Sequence, residues 1–296
     1  MLSTSTITIL LAILPGVVSW GSAGHSITAK LAYNLVSPKA QTLYQSFLQS
    51  GSEPDEDEYI EVGNWADHIV HDMPWSQGLH FINVLECDDD SCVFDYSRDC
   101  IDGRCVAGAI TNYTTLLNNN QTDEEAFKFL VHFLGDVHQP LHCAKDSDKG
   151  GNTINVIYED VPHEDSSDFH LHQIWDFAII EKNVGLEYQD DWGLLADSIL
   201  NDITIGKYDS EKDSWTNCIT NQQLINSPNC SSSWGQESVD TAMKYAYINE
   251  DGEEIVEGMT LTDEYGNTRM EVIRKRLAQG GVRLAGILDF IADGGD

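Results

Sequence analysis

Residues 124–142, EEAFKFLVHFLGDVHQPLH, set the tightest constraint on any fold of this chain. A capping box at Thr122 and Glu125 opens a helix carrying Phe129, Leu130, Phe133 and Leu134, and Pro140 marks where it must end. His132 and Asp136 stand four residues apart within it, on one face and among apolar neighbours. An imidazole and a carboxylate buried together need a partner: each other, through a hydrogen bond, or a metal ion held by both. Repetition favours the metal. LHQIWD repeats the spacing at His172 and Asp176, and His142 follows the helix-ending proline. Asp67 in NWADHIVHD, His80 in WSQGLHFINV and His25 bring the set to five His and three Asp from six places in the chain. Such nitrogen and oxygen donors suit Zn²⁺, and eight side chains exceed what one or two four-coordinate ions require. The expected site is multinuclear.

The rest of the chain reads mainly helical, with few short strands. From Ser26, SITAKLAYNLVS places Ile27, Leu31 and Leu35 on one face, and Ser37 and Pro38 supply a cap and first-turn proline for a second helix. Further helices are expected near 106–118, 170–182, 236–248 and 270–292, and strands at 79–84 and 152–158. No linker or repeat divides residues 20–296, which are expected to form a single domain. The acidic runs 52–61 and 249–258 read as solvated loops or helix faces. Among the remaining histidines (68, 71, 138, 163 and 170), His138 competes most directly for a ligand role, lying within a turn of both Asp136 and His142. His163 and His170 sit in a polar stretch that reads as surface.

The first nineteen residues hold no charged side chain, and their apolar core, Ile7 to Leu14, is too short to span a ~30 Å hydrocarbon layer. Val17 and Ser19 are small residues at −3 and −1 of a cut before Trp20, the pattern of a removed signal peptide and a secreted protein. Seven cysteines (87, 92, 100, 105, 143, 218 and 230) without a CxxC pair fit an oxidising compartment, their odd number leaving one over. Sequons at Asn112, Asn120 and Asn229 point the same way. A formal charge of −33 disfavours polyanion binding, so an anionic substrate would draw its positive charge from bound cations.

The motifs WGxxGH from Trp20, WAD, LHF, FLVHFLGDVHQPLH, DKGGNTINV, LHQIWD and GGVRLAGILDFI occur in the order and spacing of the class I zinc nucleases, and the chain resembles that family over nearly all of 20–294. The resemblance implies a mainly α, multi-helix fold shared with zinc-dependent phospholipase C. It also implies hydrolysis of single-stranded DNA and RNA to 5′-phosphate products, with 3′-nucleotidase activity. Carried over by residue, it implies three zincs. The first would be held by Asp67, His80, His132 and Asp136. The second would take Asp136 as bridge, His25, and the amino nitrogen and carbonyl oxygen of Trp20, so that cleavage after Ser19 completes a metal site. The third would be held by His142, His172 and Asp176. Asp67 resembles the residue that also orients the attacking water.

Phe81 matches the family's base-stacking aromatic, but the carboxylate expected beside it is Asn83, which puts the family's purine preference in doubt. Val70 stands where many members have Arg, leaving His71 or Lys149 as substitute phosphate contacts. Lys149 and Asn152 are substrate-contact candidates whose alternative reading is a tight glycine turn. Cys92, Cys100 and Cys105 keep the family spacing C-x7-C-x4-C, implying a Cys100–Cys105 loop. The usual distant partner of Cys92 is missing from WGQESVDTAMKYAY, which leaves Cys87, Cys218 and Cys230 as candidates. A monomer without stable membrane association is expected. The competing readings are a phospholipase C, whose anionic membrane surface would repel this charge, and a catalytically inert zinc protein.

Overall fold

The computed structural model describes residues 20–87, 92–159 and 169–295. The signal peptide expected at 1–19 and His163 lie outside the described residues. Eleven α-helices are present among them: α1 (Ser22–Leu35), α2 (Pro38–Gln45), α3 (Glu56–Ile69), α4 (Tyr96–Asp99), α5 (Val106–Asn119), α6 (Glu124–Asp136), α7 (Leu171–Gln173), α8 (Ile179–Glu187), α9 (Trp192–Thr204), α10 (Asn229–Thr241) and α11 (Asp263–Ala292). Five short strands accompany them: β1 (Ile82–Val84), β2 (Cys143–Lys145), β3 (Asn155–Tyr158), β4 (Phe169–His170) and β5 (Thr260–Leu261).

Local chemistry explains the helix starts. Ser37 Oγ accepts from Ala40 N at 3.3 Å and Pro38 opens α2. Asp55 caps α3, and the acidic run that follows contributes Glu56, Asp57 and Glu58 to its first turn, where negative charge complements the helix dipole. The cap of α6 differs from expectation: Asp123 accepts from Ala126 N at 3.0 Å, whereas the Thr122 hydroxyl donates to Asn120 Oδ1 at 2.8 Å. Thr122 is therefore engaged in the preceding turn and does not form the capping box. Helix α1 begins at Ser22, four residues before Ser26. Helices α10 and α11 likewise begin seven residues ahead of the expected 236 and 270.

Helix α6 is buried from Ala126 to Asp136, wedged among α1, α3, α5 and α11. Phe127, Phe129, Leu130, Phe133 and Leu134 are fully buried, and each contributes on the order of 1.5–3 kcal/mol relative to exposure. They belong to one apolar cluster, reaching from α2 and α3 to α5 and the end of α11. A second cluster joins Trp20, Ile27 and Leu31 to α7–α9, β3, β5 and the middle of α11. The buried His and Asp residues lie along the seam between the two.

Two strand pairings close that seam. Strands β1 and β2 are parallel, with Ile82 opposite Cys143, and this sets the residue before each, or nearly so, side by side: His80 and His142. Strand β3 runs antiparallel to β4, with Asn155 opposite His170, and parallel to β5. The first of these pairings delivers His172. Disulfides join Cys87 to Cys92, Cys100 to Cys105 and Cys218 to Cys230, so the open question of Cys92 resolves to Cys87, and Cys143 is left as a buried thiol.

Candidate metal centre

The i, i+4 pair on α6 meets as its spacing predicts, with His132 Nε2 3.3 Å from Asp136 Oδ2. His80, at the end of the 3-10 turn Pro74–Leu79, brings Nδ1 to 3.0 Å from the same oxygen and 3.1 Å from His132 Nε2. Asp67 on α3 places Oδ1 3.3 Å from His132 Nε2 and 3.6 Å from His80 Nδ1. Four donors about 2.0–2.1 Å from a shared centre in a tetrahedron stand roughly 3.3–3.4 Å apart. Five of the six edges are thus present, at 3.0–3.6 Å.

A second group forms at the other oxygen of Asp136, whose Oδ1 lies 3.4 Å from His25 Nε2. The His25 ring stacks on that of His132, with centroids 3.8 Å apart. Only glycine fits beneath it, because a β-carbon on Gly135 would stand 2.4 Å from His25 Nδ1. In the third group His172 Nε2 is 3.3 Å from Asp176 Oδ2, and His142 Nε2 is 3.8 Å from Asp176 Oδ1. Asp176 lies in a π-helical turn, Ile174–Ala178, between α7 and α8. Such turns recur at functional sites because they re-aim a side chain. Trp20 is buried, and Gly21 beside it donates its N–H to the Asp176 carbonyl at 2.8 Å, so residue 20 lies next to this group.

The donors are held for metal. His132, His142 and His172 each direct Nδ1 at a backbone carbonyl, those of Gly63 (2.7 Å), His80 (2.8 Å) and Gly150 (2.6 Å). Donation from Nδ1 leaves the Nε2 lone pair aimed inward, the outer arrangement that orients metal-ligating histidines. Asp67 Oδ1, both oxygens of Asp136, His142 Nε2, His172 Nε2 and Asp176 Oδ2 are buried without a hydrogen bond. Six such atoms converging in one seam would be costly unless a cation completed them. The residues fit metal ions, as three His/Asp groupings: His25, Asp67 and His132; His80, His132 and Asp136; His142, His172 and Asp176.

Electrostatics supports this. Burial, reinforced by His132, brings His25 down to about 4, and burial with His142 beside it brings His172 to about 3, keeping both in the neutral form that ligates. Burial also lowers His142. At Asp136 burial is outweighed by His132, His25 and His80, which hold the carboxyl well below its usual range. Asp176 is pushed well above that range by burial, so a cation entering the third group must displace a proton.

The other sequence candidates separate. His138 is buried but turned away: Nδ1 donates to the Leu134 carbonyl at 2.7 Å and Nε2 accepts from Arg283 at 2.8 Å. His68 and His71 are exposed, and His170 caps α7. Phe81 and Asn83 are half-buried on the rim next to His80, and Val70 ends α3. Lys149 is exposed at φ 54°, and Asn152 Nδ2 donates to its carbonyl at 2.8 Å. The glycine turn they form is functional in its own way, since Gly150 at φ 64° presents the carbonyl that fixes His172. Asn112, Asn120 and Asn229 are exposed. One residue was missed: buried Gln139 donates to Asp176 Oδ1 at 2.5 Å while its own oxygen accepts from Leu141 N at 2.5 Å. Its signal was a lone amide placed between His138 and the helix-ending proline.

The frame and the pocket define a class: a mainly helical protein built around buried His/Asp groups able to hold metal. The particular family follows from comparison with known proteins. Residues 20–293 match the family model S1/P1 Nuclease, and the chain belongs to that family. It is similar to Endonuclease 2 of Arabidopsis thaliana, 36% identical over 95% of this chain and 93% of that one. It is also similar to Nuclease S1 of Aspergillus oryzae, 32% identical over 92% of each chain, and to Nuclease P1 of Penicillium citrinum, 29% identical over 92% of this chain and 97% of that one. The protein is a hydrolase of phosphodiester bonds.

Proposed function

We propose that this chain is a secreted three-zinc nuclease that cleaves single-stranded DNA and RNA to 5′-phosphate products and removes phosphate from 3′-nucleotides. The convergence of His80, His132, Asp67 and Asp136 at tetrahedral edge distances carries the reading. The first zinc is assigned to those four side chains. The second is assigned to Asp136, His25 and the backbone of Trp20, freed by cleavage after Ser19, and the third to His142, His172 and Asp176. Residues 20–296 then form one monomeric nuclease domain, glycosylated at Asn112, Asn120 and Asn229. Among the described residues no helix is long and apolar enough to cross a membrane.

Bound zinc supplies positive charge for phosphoryl oxygens and lowers the pKa of water from 15.7 toward ~7. The chain's own residues do the rest. Asp67 is the one carboxylate of the three with an open side chain, 18% exposed against 0% and 1% for Asp136 and Asp176. It stands at the mouth, where it orients the attacking water and accepts its proton. Phe81 offers a face to a base, and Asn83 beside it both donates and accepts, which relaxes base preference. Lys149 and Asn152 present polar groups from the turn that holds His172.

Treating the purified mature protein with a chelator should abolish cleavage of single-stranded DNA, and zinc should restore it. Asp67→Asn should lower kcat by about 10²–10⁴ with the far-UV spectrum intact. Full activity after exhaustive chelation would overturn the assignment.

A further inference from the structure

The outer wall of the turn that delivers His80 carries an aromatic ring and a cation that nothing above employs. Trp75, in the 3-10 turn Pro74–Leu79, is 46% exposed. It nevertheless heads a line of ring contacts running to the metal centre: Trp75 to Phe129 at 5.9 Å, Phe129 to Phe133 at 5.3 Å, and Phe133 to His80 at 5.1 Å. Arg104 precedes the second half-cystine of the Cys100–Cys105 loop and donates Nη2 to the Trp75 carbonyl at 2.8 Å. A β-carbon on Gly78 would lie 3.8 Å from the same nitrogen, and Val106, two residues on, donates to the Phe81 carbonyl at 3.1 Å. The guanidinium therefore rests along the Trp75–Gly78 backbone, and the chain that carries it is tied by Val106 to Phe81.

Charge makes this position distinctive. Of the sixteen Lys and Arg, twelve have a carboxylate oxygen within 4.0 Å. Arg269 is buried against backbone carbonyls, and Lys244 lies over the Tyr245 ring. Arg104, Lys149 and Lys244 are exposed, with no carboxylate partner among the described residues, and of the three only Arg104 lies against an exposed tryptophan of the turn that delivers His80. In a chain of net charge −33, a guanidinium that has no carboxylate among the described residues and stands beside an open tryptophan matches the chemistry of a nucleotide, an aromatic base joined to a phosphate. A planar guanidinium fork suits phosphate oxygens, and an indole stacks on any base.

We propose that Trp75 and Arg104 form an outer strand subsite, in which a base neighbouring the scissile nucleotide stacks on Trp75 and its phosphate bonds to Arg104. This rests on the nuclease reading above. A duplex keeps its bases paired and stacked internally, so only a single strand can offer both groups at once. The subsite thereby contributes to selection of single strands and tolerates any sequence.

The test compares decathymidylate with the dinucleotide TpT on the zinc-loaded protein. Trp75→Ala and Arg104→Gln should each raise KM for the decamer about tenfold with kcat within about twofold, and leave KM for TpT within about twofold. Arg104→Gln should also make the salt dependence of decamer KM shallower by about one phosphate contact, with Arg104→Lys restoring that slope. Equal effects on both substrates, or none on the decamer, would overturn the subsite. Absence of cleavage by the unaltered protein would instead sink the nuclease reading. Anisotropy with a hydrolysis-resistant phosphorothioate decathymidylate then decides the subsite separately, about tenfold weaker binding by either variant supporting it and unchanged binding refuting it.

Discussion

At the scale of single residues, the surroundings fix the protonation of the site: burial keeps His25, His142 and His172 neutral, whereas at His132 the carboxylates Asp136 and Asp67 outweigh burial and raise it to about 9. Burial holds His25 at about 4 and His172 at about 3, lowers His142, and, with Arg276 and Arg283, holds His138 well below the usual range. In the unfolded chain all four protonate near 6.5. Below that pH the unfolded state binds protons that the folded state refuses, so stability falls as acid is added, until the folded groups titrate in turn. Asp176, raised by burial, and His132, raised to about 9 where Asp136 and Asp67 outweigh burial, keep protons on the folded side and only partly offset the four. Urea unfolding of the chelated protein should therefore show a lower midpoint at pH 5.5 than at pH 7.5. An equal or higher midpoint at pH 5.5 would contradict the assigned protonation states.

At the scale of elements, α6 is the axis on which the centre is built. It carries His132 and Asp136, and Gly135 between them leaves room for the ring of His25 from α1. Gly135→Ala should push His25 away from Asp136, cost about 1–3 kcal/mol in stability and reduce bound zinc, as read by denaturation and metal analysis. Retention of full zinc content and stability would show that His25 is not packed as described. The pairs His132/Asp136 and His172/Asp176 were legible because helical spacing alone sets their faces. The beginnings of α10 and α11 were not. Residues Asn229 to Ser233 follow Pro228 and are polar apart from Cys230, so no apolar period announces them, and the Cys218–Cys230 disulfide ties that turn in place. Helix α11 opens with the polar DEYGNTR under a Thr262 cap, ahead of its apolar stretch. Side-by-side placement of His80 and His142 depends on the β1–β2 pairing, a non-local contact between strands of three residues each that periodicity cannot reveal.

At the scale of the whole molecule, the acidic exterior and the cation-seeking seam are parts of one arrangement. Most Lys and Arg side chains are consumed by local ion pairs, so the attraction for phosphate has to come from the seam and from the few cations left open near it. The family resemblance named these His and Asp residues as one set from the sequence, and the fold brings their donor atoms into three groups. Gln139 and the carbonyls of Gly63, His80 and Gly150 needed the fold, because what they do is orient other residues. The most direct test is the zinc content of the purified, active protein by elemental mass spectrometry, with its N-terminal sequence read from the same sample. A chain beginning at Trp20 with about three zinc ions is the expected result. Full single-strand cleavage by a chain that still carries the residues before Trp20, or that holds no zinc, would contradict it.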